Sequence, residues 1–160
     1  MALLRAVQKE AGSNHSVAIY AGIGDLPVFS PDHEVPSPPQ LVTDFASAIA
    51  DADGLIIASP EYVRSIPGGL KNAIDWLVSR DELIEKPIVL AHASHRGDDM
   101  LHQLRIVLGT VSMRFNEELF LRFHLAKLSP SEIDQLLSSA RHRTEIYNYL
   151  DAFAAFCVQP

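Results

Sequence analysis

Apolar residues along this chain fall into two rhythms. Short unbroken runs occur at residues 54–58 (Gly-Leu-Ile-Ile-Ala) and 87–92 (Pro-Ile-Val-Leu-Ala-His). Runs of that length predict strands buried on both faces. Residues 17–20 (Val-Ala-Ile-Tyr) read as a further short strand, and Glu118-Leu119-Phe120-Leu121 with its neighbours as the last one. Between them the apolar spacing lengthens to that of helices. Residues 1–11 place Leu3, Leu4 and Val7 on one side and stop at Gly12. Residues 41–52 turn Leu41, Phe45, Ala48 and Ile49 inward. Residues 70–78 do the same with Leu70, Ala73, Ile74, Leu77 and Val78. A helix at 99–109 carries Met100, Leu101, Leu104, Val107 and Leu108, with Asp98 as N-cap and Gly109 as terminator. After Pro130 comes a long helical stretch, with Ser131 as N-cap and Ile133, Leu136, Leu137, Ile146, Tyr149, Leu150 and Phe153 inward. Helix and strand alternate throughout, which predicts an α/β class: a doubly wound, three-layer domain around a parallel sheet.

Composition narrows the class. The chain has 160 residues, 48% of them apolar, enough for one domain over 1–160 with a core that needs neither metal nor disulfide. A net charge of −7 excludes a phosphate-backbone binder, which requires a clustered basic face. The single cysteine, Cys157, cannot form an internal disulfide, suits a reducing cytoplasm, and reads as a packing residue of the last helix. No apolar run approaches the roughly 18 residues of a membrane span, and the first residues lack a signal-peptide pattern. The expectation is a soluble, cytoplasmic protein with no nucleic-acid or membrane partner.

The most informative stretch is residues 59–76, Ser-Pro-Glu-Tyr-Val-Arg-Ser-Ile-Pro-Gly-Gly-Leu-Lys-Asn-Ala-Ile-Asp-Trp. Pro60 forces a sharp exit from the preceding strand, and Pro67, Gly68 and Gly69 punctuate the chain before the next helix. Strand, irregular loop and helix follow one another, and in a parallel sheet such a loop lies at the carboxyl edge, where ligands bind. Tyr62 reads equally as a flat wall for a ligand or as a packing aromatic, and Trp76 as core. Glu61 suits a backbone cap or a subunit contact. Lys71 and Asp75, at i and i+4, suit a surface ion pair. Residues 22–39 form a loop with two glycines and five prolines. Gly22-x-Gly24 is not a dinucleotide fingerprint, because the third glycine is absent and no helix follows. His92, His95 and His102 lack the neighbouring cysteine or carboxylates of a metal site.

On these motifs the chain resembles the NADPH-dependent FMN reductase family, flavodoxin-like enzymes that include quinone, azo-dye and chromate reductases. Asp25-Leu26-Pro27-Val28-Phe29-Ser30-Pro31-Asp32 is similar to that family's Leu-Pro-Leu-Tyr-Asn-Pro-Asp loop. Ser59-Pro60-Glu61-Tyr62, then Ser65-Ile66-Pro67-Gly68 and Leu70-Lys71-Asn72-Ala73-Ile74-Asp75-Trp76, resembles its most diagnostic motif. The resemblance, which runs over roughly residues 1–125, implies a flavodoxin-like sheet. It also implies FMN as cofactor with NAD(P)H as co-substrate, a small-molecule electron acceptor, and a homodimer or homotetramer. It places Pro60, Glu61, Tyr62 and Val63 along one edge of the isoalloxazine, and Ser94, His95, Arg96 and Gly97 at its pyrimidine end. No acid–base side chain and no metal ligand is required.

The departures carry expectations of their own. The family opens with a strand and a Gly-Ser-x-Arg-x-x-Ser phosphate loop, whereas this sequence begins inside the helix that follows them. In the strand order 2-1-3-4-5 the missing strand is central. The strands at 17–20 and 54–58 would then stand about 10 Å apart, two ladder spacings. The expected consequences are a gap that must close or borrow a strand, weak or absent FMN binding, and a start codon assigned too late. Val63 stands where the family usually has asparagine, and Ser94-His95-Arg96-Gly97 replaces a more glycine-rich turn. The alternative reading is a flavin-free flavodoxin-like binding or oligomerisation module, or an inactive truncated relative. A phospho-receiver is excluded, since Asp51 and Asp53 lie at the wrong end of their strand.

Overall fold

The computed structural model describes residues 1–34 and 36–159. Val35, in the expected 22–39 loop, and Pro160, at the end of the expected domain, lie outside the described residues. The elements in order are α1 (Ala2–Glu10), α2 (Gln40–Ala50), β1 (Leu55–Ala58), α3 (Gly68–Asp75), β2 (Ile88–His92), α4 (Asp98–Val111), β3 (Phe115–Arg122), α5 (Pro130–Leu137) and α6 (Ala140–Cys157). Short 3-10 turns at Gly22–Asp25 and Pro31–His33 punctuate the loop before α2.

Three parallel strands form the sheet in the order β1-β2-β3. Every residue of β2 is buried, as expected of a central strand covered on both faces. Alternation along the strands sorts the side chains into two cores. Leu55, Ile57, Ile88, Leu90 and Phe120 pack toward α2, α3 and α4. Ile56, Ala58, Val89, Ala91 and Leu121 pack toward α1, α5 and α6. This period of two, with helices on each face, produces the three-layer doubly wound architecture. Between Ile88 and Leu90 the ladder to β3 slips, and the Asn116 side chain accepts the N–H groups of Glu118 and Leu119 in place of the partner strand.

Several expectations are corrected. Residues 17–20 form no strand: they do not pair with the open edge of β1, and the Val17 carbonyl accepts from the Gln8 side chain instead. Among the described residues β1 is therefore an edge strand. The buried face of α2 is rotated by one residue, with Val42, Phe45, Ala46 and Ile49 inside and Leu41 and Ala48 outside. Val78 is exposed, and fully buried Trp76 takes the inward position beside Leu77. Gly109 does not end α4: a helical glycine costs only about 1 kcal/mol relative to alanine, and the helix runs on to Val111. The N-cap of α4 is Gly97 rather than Asp98. That of α5 is Ser129 rather than Ser131, since Glu132 completes a reciprocal capping box with Ser129. The long C-terminal stretch breaks into two helices at Ser138–Ser139.

Candidate functional site

Because β1 and β2 are parallel neighbours, the loops that leave their carboxyl ends emerge side by side. The first holds Pro60, Glu61, Tyr62 and Val63; the second holds Ser94, His95, Arg96 and Gly97. The register pairs Ala58 with Ala91, so both loops leave the sheet at one level. The eight residues that resemblance marked for a flavin ring therefore share one edge.

The first loop is a two-residue turn. Tyr62 and Ser65 exchange both main-chain hydrogen bonds, at 3.2 and 3.0 Å, and Val63 and Arg64 between them have φ of 52° and 58°. Two successive left-handed residues define a type I′ turn, which favours asparagine and glycine. A β-branched valine there is strained. The turn thrusts its side chains outward: Tyr62 is 64% exposed and Val63 99%.

Four contacts fasten the turn to α4. Glu61 Oε2 accepts the Met100 N–H at 3.2 Å, which makes Glu61 a helix cap. Arg64 Nε donates to Asp99 Oδ2 at 2.6 Å, and this hydrogen bond holds the Asp99 carboxyl below the usual range while raising the guanidinium. The Arg64 carbonyl accepts from Gln103 Nε2, and Ser65 Oγ donates to Gln103 Oε1. Behind the turn, Ser65, Ile66 and Lys71 face Gln103, Ile106 and Val107 across a cleft of about 310 Å³. A larger concavity of about 420 Å³ lies beside Met113–Glu118, at the opposite end of the sheet from these loops.

The second loop is braced from β3. Arg122 donates to the carbonyls of Ser94 and Arg96 and pairs with Asp98 at 2.8 Å. Ser94 Oγ accepts the Arg96 N–H. His95 stacks edge-on against His124 with centroids 5.9 Å apart. Gly97 has φ of 104°, a conformation open to glycine. Below both loops, the buried His92 ring lies against the carbonyls of Ser59 and Arg96.

Arg64, Asp99, Gln103, Arg122 and His92 were not singled out as site residues from sequence. The available signal was positional: His92 is a polar residue closing an otherwise apolar central strand, at the ligand-binding edge. The other four act across elements, so local pattern does not mark them. Lys71 and Asp75 form the expected ion pair, and Trp76 is core.

The donors present fit the ring of a flavin better than its phosphate. Among the described residues, the N–H groups of Glu61 and Val63 have no acceptor within the chain. They stand beside the exposed Tyr62, as a planar heterocycle with carbonyl and imine acceptors requires. A phosphate needs several converging N–H donors at a helix N-terminus. At α4 the Met100 N–H is already taken by the Glu61 carboxylate, and the nearby Arg122 and Arg64 are paired with Asp98 and Asp99.

A 57-residue segment is 51% identical to a 2-hydroxy-1,4-benzoquinone reductase of Burkholderia, covering 36% of this chain and 31% of that one. A 93-residue segment is 38% identical to a quinone reductase of Escherichia coli K12, covering 56% and 50%. The match thus spans half or less of the length of these curated relatives. The structure superimposes on FerB, a flavoenzyme NAD(P)H:(acceptor) oxidoreductase of Paracoccus denitrificans. The TM-score is 0.76 and the identity 22%, over 98% of this chain and 87% of that one, a likeness of fold. The family model of NADPH-dependent FMN reductases matches residues 1–124, and the chain belongs to that family.

Proposed function

We propose that this chain is an FMN-dependent NAD(P)H oxidoreductase domain over residues 1–160, reducing quinones or similar two-electron acceptors. The observation that carries this reading is the shared edge: two loops from adjacent parallel strands, one of them an exposed, strained turn tied to α4 by Glu61 and Arg64. Bound FMN would supply the redox chemistry, taking a hydride from NAD(P)H and passing it to the acceptor. The chain's own part is to grip and orient the ring. The Glu61 N–H supplies a donor for a ring-edge acceptor, Tyr62 a flat flank, and Ser94, His95, Arg96 and Gly97 the far border. Pro60 keeps the first loop from continuing the ladder. Protons for the reduced acceptor come from water, so no side-chain acid is needed.

The phosphate end is weakly held by the residues described, and FMN affinity is correspondingly low. A homodimer or homotetramer in the cytoplasm is part of the same proposal and follows the family resemblance. One observation favours the flavin-free alternative: at the start of α4 Glu61 takes the Met100 N–H while Asp98 and Asp99 engage Arg122 and Arg64, so these groups are not free to hold an anionic cofactor. Titrating FMN with the purified protein and following flavin fluorescence separates the two readings. Quenching that saturates, with flavin absorbance that bleaches under NADPH and returns on adding 1,4-benzoquinone, is the expected result. Undiminished FMN fluorescence in a large excess of folded protein would overturn the enzyme reading.

A further inference from the structure

His92 closes β2, opposite Arg122 in the ladder, and its side chain is 2% exposed. Nδ1 lies 3.0 Å from the Ser59 carbonyl oxygen, at the end of β1. Nε2 lies 2.6 Å from the Arg96 carbonyl oxygen, in the loop after β2. A carbonyl oxygen only accepts, and a neutral imidazole carries a single N–H. In either neutral tautomer one ring nitrogen of this 2% exposed side chain would set its lone pair against an oxygen. An unmet polar pair of that kind is costly when buried. Only the imidazolium donates in both directions. We propose that His92 is a positioning residue, a doubly protonated clamp that ties the root of the Pro60–Val63 loop to the Ser94–Gly97 loop and fixes the space between them.

The second loop is shaped around this ring. A Cβ on Gly97 would fall 2.6 Å from Nε2 and 2.9 Å from Cε1 of His92, and the φ of 104° independently disfavours a side chain there. The charged groups around the clamp are already engaged. From β3, Arg122 shares the Arg96 carbonyl and pairs with Asp98 at the start of α4. From the first loop, Glu61 lies across Gly97 with its carboxylate on Met100, and Arg64 is tied to Asp99. From α6, the Tyr149 hydroxyl donates to the Leu90 carbonyl, two residues before His92. No carboxylate contacts the ring among the described residues, so the two carbonyls are its acceptors. Charge-assisted N–H···O bonds are stronger than neutral ones, which suits a strap between loops with no other shared main-chain bond.

The functional part of this inference rests on the proposed flavin site; the clamp itself does not. Long-range proton–nitrogen spectra of histidine-labelled protein read the clamp directly. The expected His92 signature is two protonated ring nitrogens at similar shifts, assigned by contacts to Gly97 and Ser59. A widely split pair, one protonated and one bare, overturns the proposal. Riboflavin, which has no phosphate to titrate, then tests the positioning role. His92→Gln, whose amide donates from one side only, is expected to bind it roughly tenfold more weakly than the wild-type chain. Equal affinity in the two proteins would overturn the positioning role. A protonated His92 in a protein that binds no riboflavin would overturn the flavin site while leaving the clamp in place.

Discussion

The indole N–H of Trp76 donates to the carbonyl of Pro27 at 2.7 Å, joining the end of α3 to a loop 49 positions earlier. Asn72, one turn before, reinforces the joint: its amide donates to the same carbonyl at 3.0 Å and its oxygen accepts the Phe29 N–H at 2.8 Å. Phe29 then stacks edge-on against Trp76. Two passages that carry the family resemblance are thus a single structural unit, and its work is to anchor α3, the helix that follows the Tyr62 turn. Trp76→Phe leaves the Pro27 carbonyl short of a donor and opens space in a fully buried site. The expected loss is about 2–4 kcal/mol, read as a lower urea midpoint with an unchanged slope.

Val63 holds a left-handed conformation while touching almost nothing. Its strain has no packing to offset it, so Val63→Asn should raise stability by about 1 kcal/mol in thermal or denaturant unfolding. A fall in stability would show that the valine makes a contact worth more than the strain.

Gly54, just before β1, lies against the C-terminal helix so closely that a Cβ would sit 2.6 Å from Phe153 Cζ and 2.7 Å from Cys157 Sγ. Gly54→Ala must push α6 outward, and the expected cost is about 1–3 kcal/mol. The same packing, through burial, pushes the Cys157 thiol up. Alkylation of the native protein at neutral pH should therefore be slower than that of the unfolded chain, and Gly54→Ala should speed it.

The Arg64–Asp99 pair links the turn to α4, and the guanidinium depresses the native carboxyl. A depressed acid contributes stability above its unfolded value and loses that contribution as pH falls through the native one. Wild type should therefore exceed Asp99→Asn in urea midpoint at pH 7, modestly because the pair is exposed. The difference should shrink as pH drops below about 4. A gap that stays constant down to pH 2 would remove the charge from the explanation.

Much of the fold was legible because its signals are local. The apolar runs at 55–58 and 88–91 can satisfy themselves only by burial on both sides, and helical spacing marks α3 and α4 without reference to anything distant. Residues 17–20 show the limit. Their composition suits a strand, yet a strand exists only where a partner edge lies within hydrogen-bond reach, and the residues themselves do not state that. The N-caps of α4 and α5 failed for a related reason. Asp98 is drawn away by Arg122, 24 positions later, and Ser129 outcompetes Ser131 because Glu132 answers it.

From the chain alone came the class of fold, the placing of two loops at strand ends, and the family likeness, all of which depend on period and on short contiguous motifs. Tertiary structure decided how those loops are held: Glu61 and Arg64 on α4, Arg122 beneath Ser94, and His92 between Ser59 and Arg96. These are side-chain bonds between elements far apart in sequence. Their partners are chosen by direction and distance after the sheet has formed, and no local spacing encodes that choice.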